Sequence, residues 1–285
     1  MLSEEFNLGK IQKLCETYGI KPTKKRGQNF VIDPQVIEGM IKAANLNAED
    51  RVLEIGPGFG VLTFEMAKIV KKILAVELDK KIVQVLATKL PGNVRNVIIQ
   101  QGDALKLSNH KIVELLGEPE HYKVVSNLPY DITSAALRKF TEEKPRPSLA
   151  VFMVQKEVAE RVCAKPGAMS LLSVAVQYYG KPEIVNYVPR SAFWPQPEVD
   201  SAILRIRNYE LAIRDFDEKK LFQVVRIGFS SRRKQLQNNL SAGLRISREQ
   251  AVSALHSVNL KSNIRAQELS VEKWVELSKS LSASL

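Results

Sequence analysis

Five short apolar runs punctuate the first part of the chain, and each is followed by a segment whose apolar residues recur at helical spacing. The runs predict strands near 52–55, 72–77, 95–100, 122–126 and 149–154. The intervening segments predict helices near 61–70, 79–90, 109–116, 133–141 and 156–163. Alternation of this kind implies a parallel sheet with helices on both faces. Two later runs, Ile184–Val188 and Val199–Arg207, suggest a closing hairpin at a sheet edge. Upstream, Leu8, Ile11 and Leu14 mark an amphipathic helix over 7–20. Asp33-Pro34 starts a second helix, with Asp as cap and Pro at the first helical position, and its apolar face is Val36, Ile37, Met40, Ile41 and Ala44. Between them lie a basic cluster (Lys21, Lys24, Lys25, Arg26) and an irregular loop, Gly27–Val31. Past Tyr209 the pattern is helical throughout, at about 217–229, 232–243, 247–257 and 270–282. The expected division is therefore a catalytic α/β domain over 1–210 and a small all-α domain over 211–285, cut near 208–212.

At 285 residues the chain can bury one large core and a smaller module. The longest uncharged stretch, Pro166–Gly180, is too short and too polar to span a membrane. The N-terminus carries acids where a secretion signal needs lysines, and Cys15 and Cys163 stand far apart, so a reduced, cytoplasmic setting is expected. Three histidines without Cys-His spacing give no metal site, and no Ser-His-Asp order is present. The 42 Lys/Arg against 31 Asp/Glu give a net charge of +11. That bias favours a polyanionic partner, nucleic acid being the commonest, although a basic and inert surface would look the same. The tail 211–285 contributes 13 Lys/Arg against 7 Asp/Glu, or +6.

The first strand–helix junction reads Glu54-Ile-Gly-Pro-Gly-Phe-Gly60. Gly56, Gly58 and Gly60 suit a tight turn that approaches a ligand closely. A dinucleotide fingerprint would be G-x-G-x-x-G, but Val61 stands where its last glycine should be. The second run ends in Glu77, placed to accept both hydroxyls of a ribose. The third is followed by Gly102-Asp103-Ala104. A glycine turn, a Glu and an Asp at three successive strand ends suit a nucleoside with a positive centre and no phosphate, which describes S-adenosylmethionine.

The fourth strand opens into Asn127-Leu128-Pro129-Tyr130. Ligands of such sheets bind beyond the carboxyl ends of the strands. The Asn127 carboxamide oxygen and the Leu128 carbonyl can accept the two hydrogens of an exocyclic amine, whose lone pair is otherwise drawn into its ring. Pro129 stiffens the backbone, and Tyr130 offers a ring to stack on a base. An isolated tetrapeptide of this kind is more often a plain turn, and its place after the fourth strand reverses that preference. A second stiff aromatic segment, Phe193–Ser201, contains Phe193, which either closes the other face of an extruded base or fills the core. Arg232, Arg233 and Lys234 cluster at the expected opening of a helix, as a phosphate contact or as a solvated face.

Taken in order, Gly27-Gln-Asn-Phe30, Glu54–Gly60, Val76-Glu-Leu-Asp79, Gly102-Asp-Ala104, Asn127–Tyr130, Gln155-Lys-Glu-Val158, Phe193–Ser201 and Arg232-Arg-Lys-Gln-Leu236 resemble the motifs of the KsgA/RsmA family. These are small-subunit ribosomal RNA adenine N6,N6-dimethyltransferases related to the Erm enzymes. The resemblance implies a Rossmann-like S-adenosylmethionine-dependent methyltransferase sheet with a small all-α C-terminal domain. It implies a cofactor site of Asn29, Val31, Gly56, Glu77, Asp103 and Asn127, and a target-adenine site of Asn127, Leu128, Tyr130 and Phe193. It also implies that the helical domain helps to dock an immature small ribosomal subunit. RNA contacts are expected at Lys24, Lys25, Arg26, Arg232, Arg233 and Lys234, each cluster with a solvated face as its alternative reading, and with nothing suggesting an obligate dimer the enzyme is expected to be a monomer. The stretch Pro166–Val174 departs from the family pattern as a shortened loop. The alternatives are a large-subunit rRNA methyltransferase of the Erm kind, a non-catalytic RNA-binding assembly factor and a small-molecule methyltransferase. The intact Asn127–Tyr130 and Glu77 count against lost chemistry, and the basic excess counts against a small substrate.

Overall fold

The structure, a computed structural model, describes residues 8–22, 29–90, 94–208 and 217–283. The chain forms two compact units, Met1–Ala159 with Gly180–Tyr209, and Glu160–Tyr179 with Glu210–Leu285.

The first unit is built on a seven-stranded sheet of β2 (Arg51–Ile55), β3 (Lys72–Glu77), β4 (Val97–Gln101), β5 (Lys123–Asn127), β6 (Leu149–Gln155), β7 (Gly180–Val188) and β9 (Ser201–Asn208). The strand order is β4-β3-β2-β5-β6-β9-β7. The first five strands run parallel, and β9 and β7 close the edge antiparallel. The five expected parallel strands and the last edge strand lie within about two residues of their observed places, because Val, Ile and Leu runs bounded by turn residues suit buried strands, whereas β7 starts four residues before the expected Ile184. The interleaved helices are α2 (Pro34–Ala44), α3 (Val61–Ala67), α4 (Lys80–Lys89), α5 (Asn109–Leu116) and α6 (Thr133–Glu142), preceded by α1 (Leu8–Thr17). Asp33 caps α2 through a 2.9 Å bond from the Gln35 N–H, as its Asp-Pro start implies. Val36, Ile37 and Met40 of α2 pack with Val125, Val151, Met153 and Ile203 of the sheet. On the opposite face Phe140 of α6 meets Phe152 of β6, with ring centroids 6.4 Å apart.

A two-stranded ribbon was not expected from the sequence. Phe30–Val31 (β1) pairs antiparallel with Phe193–Trp194 (β8), in segments expected as loops. Runs of two residues carry no readable period.

The second unit gathers α8 (Leu171–Tyr179), α9 (Glu218–Gly228), α10 (Leu236–Leu244), α11 (Arg248–Ser257) and α12 (Val271–Ala283); α7 (Lys156–Val162) spans the change from one unit to the other. Trp274 is fully buried among Leu221, Val225, Leu236, Leu240 and Leu255. Tyr178, Tyr179 and Phe222 form an aromatic trio with centroids 4.8–5.7 Å apart. A single cut near 208–212 does not describe this unit, because Glu160–Tyr179 shares its core with the tail helices. The stretch 166–174, expected as a loop, contains the start of α8. Ser170 and Ser173 bond each other's backbone N–H groups there (3.2 and 2.6 Å) and open the helix.

Candidate active site

The carboxyl ends of β2 to β5 surround a cavity of about 640 Å³. The glycine turn after β2 is tied down where the Gly56 N–H donates to the Val76 carbonyl at 2.9 Å. Gly58 has φ +56°, and a Cβ there would lie 3.1 Å from the Phe30 ring; Gly60 has φ +86°, and a Cβ would lie 2.5 Å from Leu86. Positive φ and crowding both call for glycine at these two places. Phe30 in turn packs tilted against Phe59, with centroids 4.6 Å apart. The ribbon β1–β8 is thereby fastened to the glycine turn.

Glu77 ends β3 almost fully buried. One carboxylate oxygen accepts the Asp79 N–H at 2.9 Å and the other the Gly58 N–H at 3.3 Å. Burial raises its pKa, opposed by those two backbone bonds. Asp103 follows β4 and accepts the Leu105 N–H at 2.9 Å. Asn127 ends β5. Its Nδ2 donates to the Asn29 carbonyl at 3.0 Å, which leaves the carboxamide oxygen as the group's acceptor. The Leu128 N–H donates to the Met153 carbonyl at 3.2 Å.

All six residues expected around a cofactor, Asn29, Val31, Gly56, Glu77, Asp103 and Asn127, line this one cavity. Of the target-base group, Asn127 lines it and Leu128 is buried. Tyr130 is half-buried with its hydroxyl 2.7 Å from that of Ser201, and burial raises its phenol pKa. Phe193 is buried in the sheet core beside Val31, its partner across the ribbon, and does not line the cavity. Of its two readings, the core position is the one occupied; from there it supports Val31, which does line the cavity.

Glu54 was not singled out as a site residue, although it is the one charge inside the apolar run 52–55. It lines the cavity 2 % exposed, and its carboxylate accepts the Thr63 hydroxyl at 2.6 Å. Burial pushes its carboxyl up to about 8, against the pull of the Thr63 bond, and nearby Glu77 adds to the rise. Among the described residues Glu54, Glu77, Asp79, Asp103 and Asp131 line the cavity against one cation, Lys80. A wall of acids, two of them raised in pKa by burial, fits a ligand that brings positive charge and would repel phosphates.

The basic clusters fare differently. Lys24, Lys25 and Arg26 lie outside the described residues. Arg232, Arg233 and Lys234 are exposed, but in a turn and not on a helix. The Asn239 side chain ties that turn down by donating to the Gly228 and Ser231 carbonyls (2.6 and 3.0 Å), and extended Gln235 delays α10 until Leu236. Among the described residues no group of three His, Cys, Asp or Glu could hold a metal, and no helix is long and apolar enough to cross a membrane.

A glycine turn, Glu77 and Asp103 at consecutive ends of a 4-3-2-5-6 parallel sheet, closed by an antiparallel hairpin, define a Rossmann-like methyltransferase. More narrowly, the chain belongs to the ribosomal RNA adenine dimethylase family, whose profile matches residues 20–283. It is 42% identical over 271 residues to a ribosomal RNA small subunit methyltransferase A from Dehalococcoides mccartyi, covering 95% of this chain and 92% of that one. A solved dimethyladenosine transferase from Plasmodium falciparum superposes with TM-score 0.74 at 25% identity, covering 87% of this chain and 95% of that one. The solved 23S rRNA methyltransferase ErmE superposes with TM-score 0.70 at 27% identity, covering 89% of this chain and all of that one.

Proposed function

We propose that this protein transfers methyl groups from S-adenosylmethionine to N6 of two adjacent adenosines in a 3′-terminal hairpin loop of small-subunit ribosomal RNA, giving N6,N6-dimethyladenosine. The observation that carries the reading is the Asn127 carboxamide, held by the Asn29 carbonyl in the wall of a cavity rich in acids. The cavity volume falls in the range of cofactor sites, about 300–1,000 Å³. Glu77 is the acceptor for the ribose hydroxyls, and Asn29, Val31, Gly56, Asp103 and Asn127 complete the cofactor wall.

When bound, S-adenosylmethionine supplies a methyl group made electrophilic by its sulfonium. The chain's own residues prepare the amine. The Asn127 oxygen and the Leu128 carbonyl accept its two hydrogens, which draws the lone pair out of conjugation with the ring. Tyr130, whose phenol pKa burial raises, offers its ring to the base. Positioning of this kind supplies much of the rate gain in a displacement. The amine proton becomes acidic once the new bond forms and leaves to water.

The exposed Arg232–Lys234 turn and the Lys24–Arg26 cluster are assigned to RNA phosphates, and the helical unit to docking an immature small ribosomal subunit in the cytoplasm by a monomeric enzyme. The test is methyl transfer from labelled S-adenosylmethionine to small subunits lacking the modification, with large subunits and naked RNA alongside, followed by nucleoside analysis. Dimethyladenosine on small subunits alone supports the reading. Label on large-subunit RNA moves the enzyme to the Erm branch, and no label with cofactor bound makes it an assembly factor.

A further inference from the structure

The segment Asn127–Tyr130 is secured to parts of the chain distant in sequence at three of its four residues. Asn127 is held by the Asn29 carbonyl at 3.0 Å, and Leu128 by the Met153 carbonyl of β6 at 3.2 Å. Tyr130 opens a 3-10 turn over Tyr130–Ile132, and its hydroxyl meets that of Ser201 at 2.7 Å. That third bond joins two side chains, and its far end sits on rigid ground. Ser201 is fully buried at the start of β9, in register with Gln155 of β6 on one side and Val188 of β7 on the other. The residue before it, Asp200, accepts the Lys156 N–H on its carbonyl at 3.0 Å and the Arg190 N–H on its carboxylate at 3.0 Å. The strand start therefore cannot shift without breaking bonds to two other elements.

We propose that Ser201 is a positioning residue for the target base: its hydroxyl fixes the Tyr130 ring in the orientation that receives the adenine. This rests on the functional reading above and adds to it a residue 71 positions away in sequence. A tyrosine ring held at its backbone alone turns about two side-chain bonds. Held at its hydroxyl as well, it is fixed in direction before the base arrives, and the ordering cost of that side chain is not charged to the encounter. The effect falls on the aligned complex, so it belongs to the transfer step and not to cofactor capture. Neither Tyr130 nor Ser201 lines that cavity.

The experiment compares wild type, Ser201→Ala, Tyr130→Phe and the double variant in methyl transfer to immature small subunits, with cofactor Kd and thermal unfolding measured on the same preparations. Each single variant removes one end of the same bond, so each is expected to lower kcat about tenfold while leaving cofactor Kd unchanged. The double variant is expected to be no slower than the singles, because the second change has no bond left to remove. A merely structural role for Ser201 would lower the unfolding temperature and leave kcat of the folded fraction alone. Wild-type rates in both single variants, or losses that multiply in the double variant, would overturn the inference while leaving the methyltransferase reading in place. A wild type inert on every RNA would overturn that reading, and this inference with it.

Discussion

Glu54 in the sheet unit and Trp274 in the helical unit are both almost wholly buried, and they fill their interiors in opposite ways. Glu54 sits in the cavity wall with Glu77, bonded by the Thr63 hydroxyl, and burial pushes its carboxyl up to about 8. Trp274 sits among leucines and valines, with the Phe229 ring 5.6 Å away. The first arrangement keeps charge-bearing groups beside a cavity, a cost to folding that a positively charged ligand relieves. The second packs rings and aliphatic side chains against one another. Chemistry and rigidity are thus assigned to separate cores, and substitutions in the two should separate activity from stability.

The largest effect expected is on the chemical side. Asn127→Ala removes the carboxamide acceptor and should slow methyl transfer by about a thousandfold, as loss of one preorganised hydrogen-bonding group typically does. RNA binding should stay nearly intact, as a filter or anisotropy titration would read; unchanged transfer would remove Asn127 from the mechanism. Next comes the packing side. Trp274→Ala should cost about 3–5 kcal/mol of stability through lost burial and a cavity. Calorimetric unfolding would read that loss, and cofactor affinity in the folded fraction should not move. If it fell by more than tenfold, the two cores would not be the separate bodies the comparison makes them.

A smaller effect sharpens the assignment of RNA binding. Replacing Arg232, Arg233 and Lys234 together by alanine should weaken rRNA affinity and flatten its dependence on log salt by about two to three units, as each lost phosphate contact releases fewer counterions. An unmoved slope would make that turn a solvated surface. The smallest effect concerns pH. The Glu54 carboxyl rises from 4.5 to about 8 on folding, so its neutral form is the one folding favours. Its contribution is complete below about 4.5 and fades as pH climbs through 8. Burial acts on Glu77 in the same direction. Glu54→Gln should therefore flatten, without abolishing, the fall in stability between those values. An identical fall in the variant would show that Glu54 does not titrate there.

Most of the sheet was legible because its parallel strands are largely apolar runs with turn residues at both ends, as strands covered on both faces require. The same feature made its ligand wall legible. The glycine turn, Glu77, Asp103 and Asn127 each follow such a run, and strand ends in a parallel sheet all meet on one side. What escaped was structure without a period of its own. Helix α8 buries Ser173, Val174, Ala175, Val176, Tyr178 and Tyr179, so nearly every side of it is covered and no polar stripe marks it. The ribbon of Phe30–Val31 and Phe193–Trp194 is held by pairing across more than 160 residues, which neither segment announces. The Arg232–Lys234 turn was drawn into a helix because the Gly228 and Ser231 carbonyls that Asn239 binds cannot be seen from spacing. The Ser201 hydroxyl met no expectation at all. Glu54 could have been found: a carboxylate inside an otherwise apolar strand run is out of place unless something requires it.

The interleaving of the two units constrains how such a protein can be recombined. The core around Trp274 takes Tyr178 and Tyr179 from an excursion that leaves the sheet unit after Ala159 and returns at Gly180. A chimera joined once near residue 210 would bring the tail helices of one parent to the α8 of another. The aromatic trio of Tyr178, Tyr179 and Phe222 would then be assembled from rings that never shared a core. Exchange of the helical unit between relatives therefore has to carry two stretches of gene, one of them only twenty codons long.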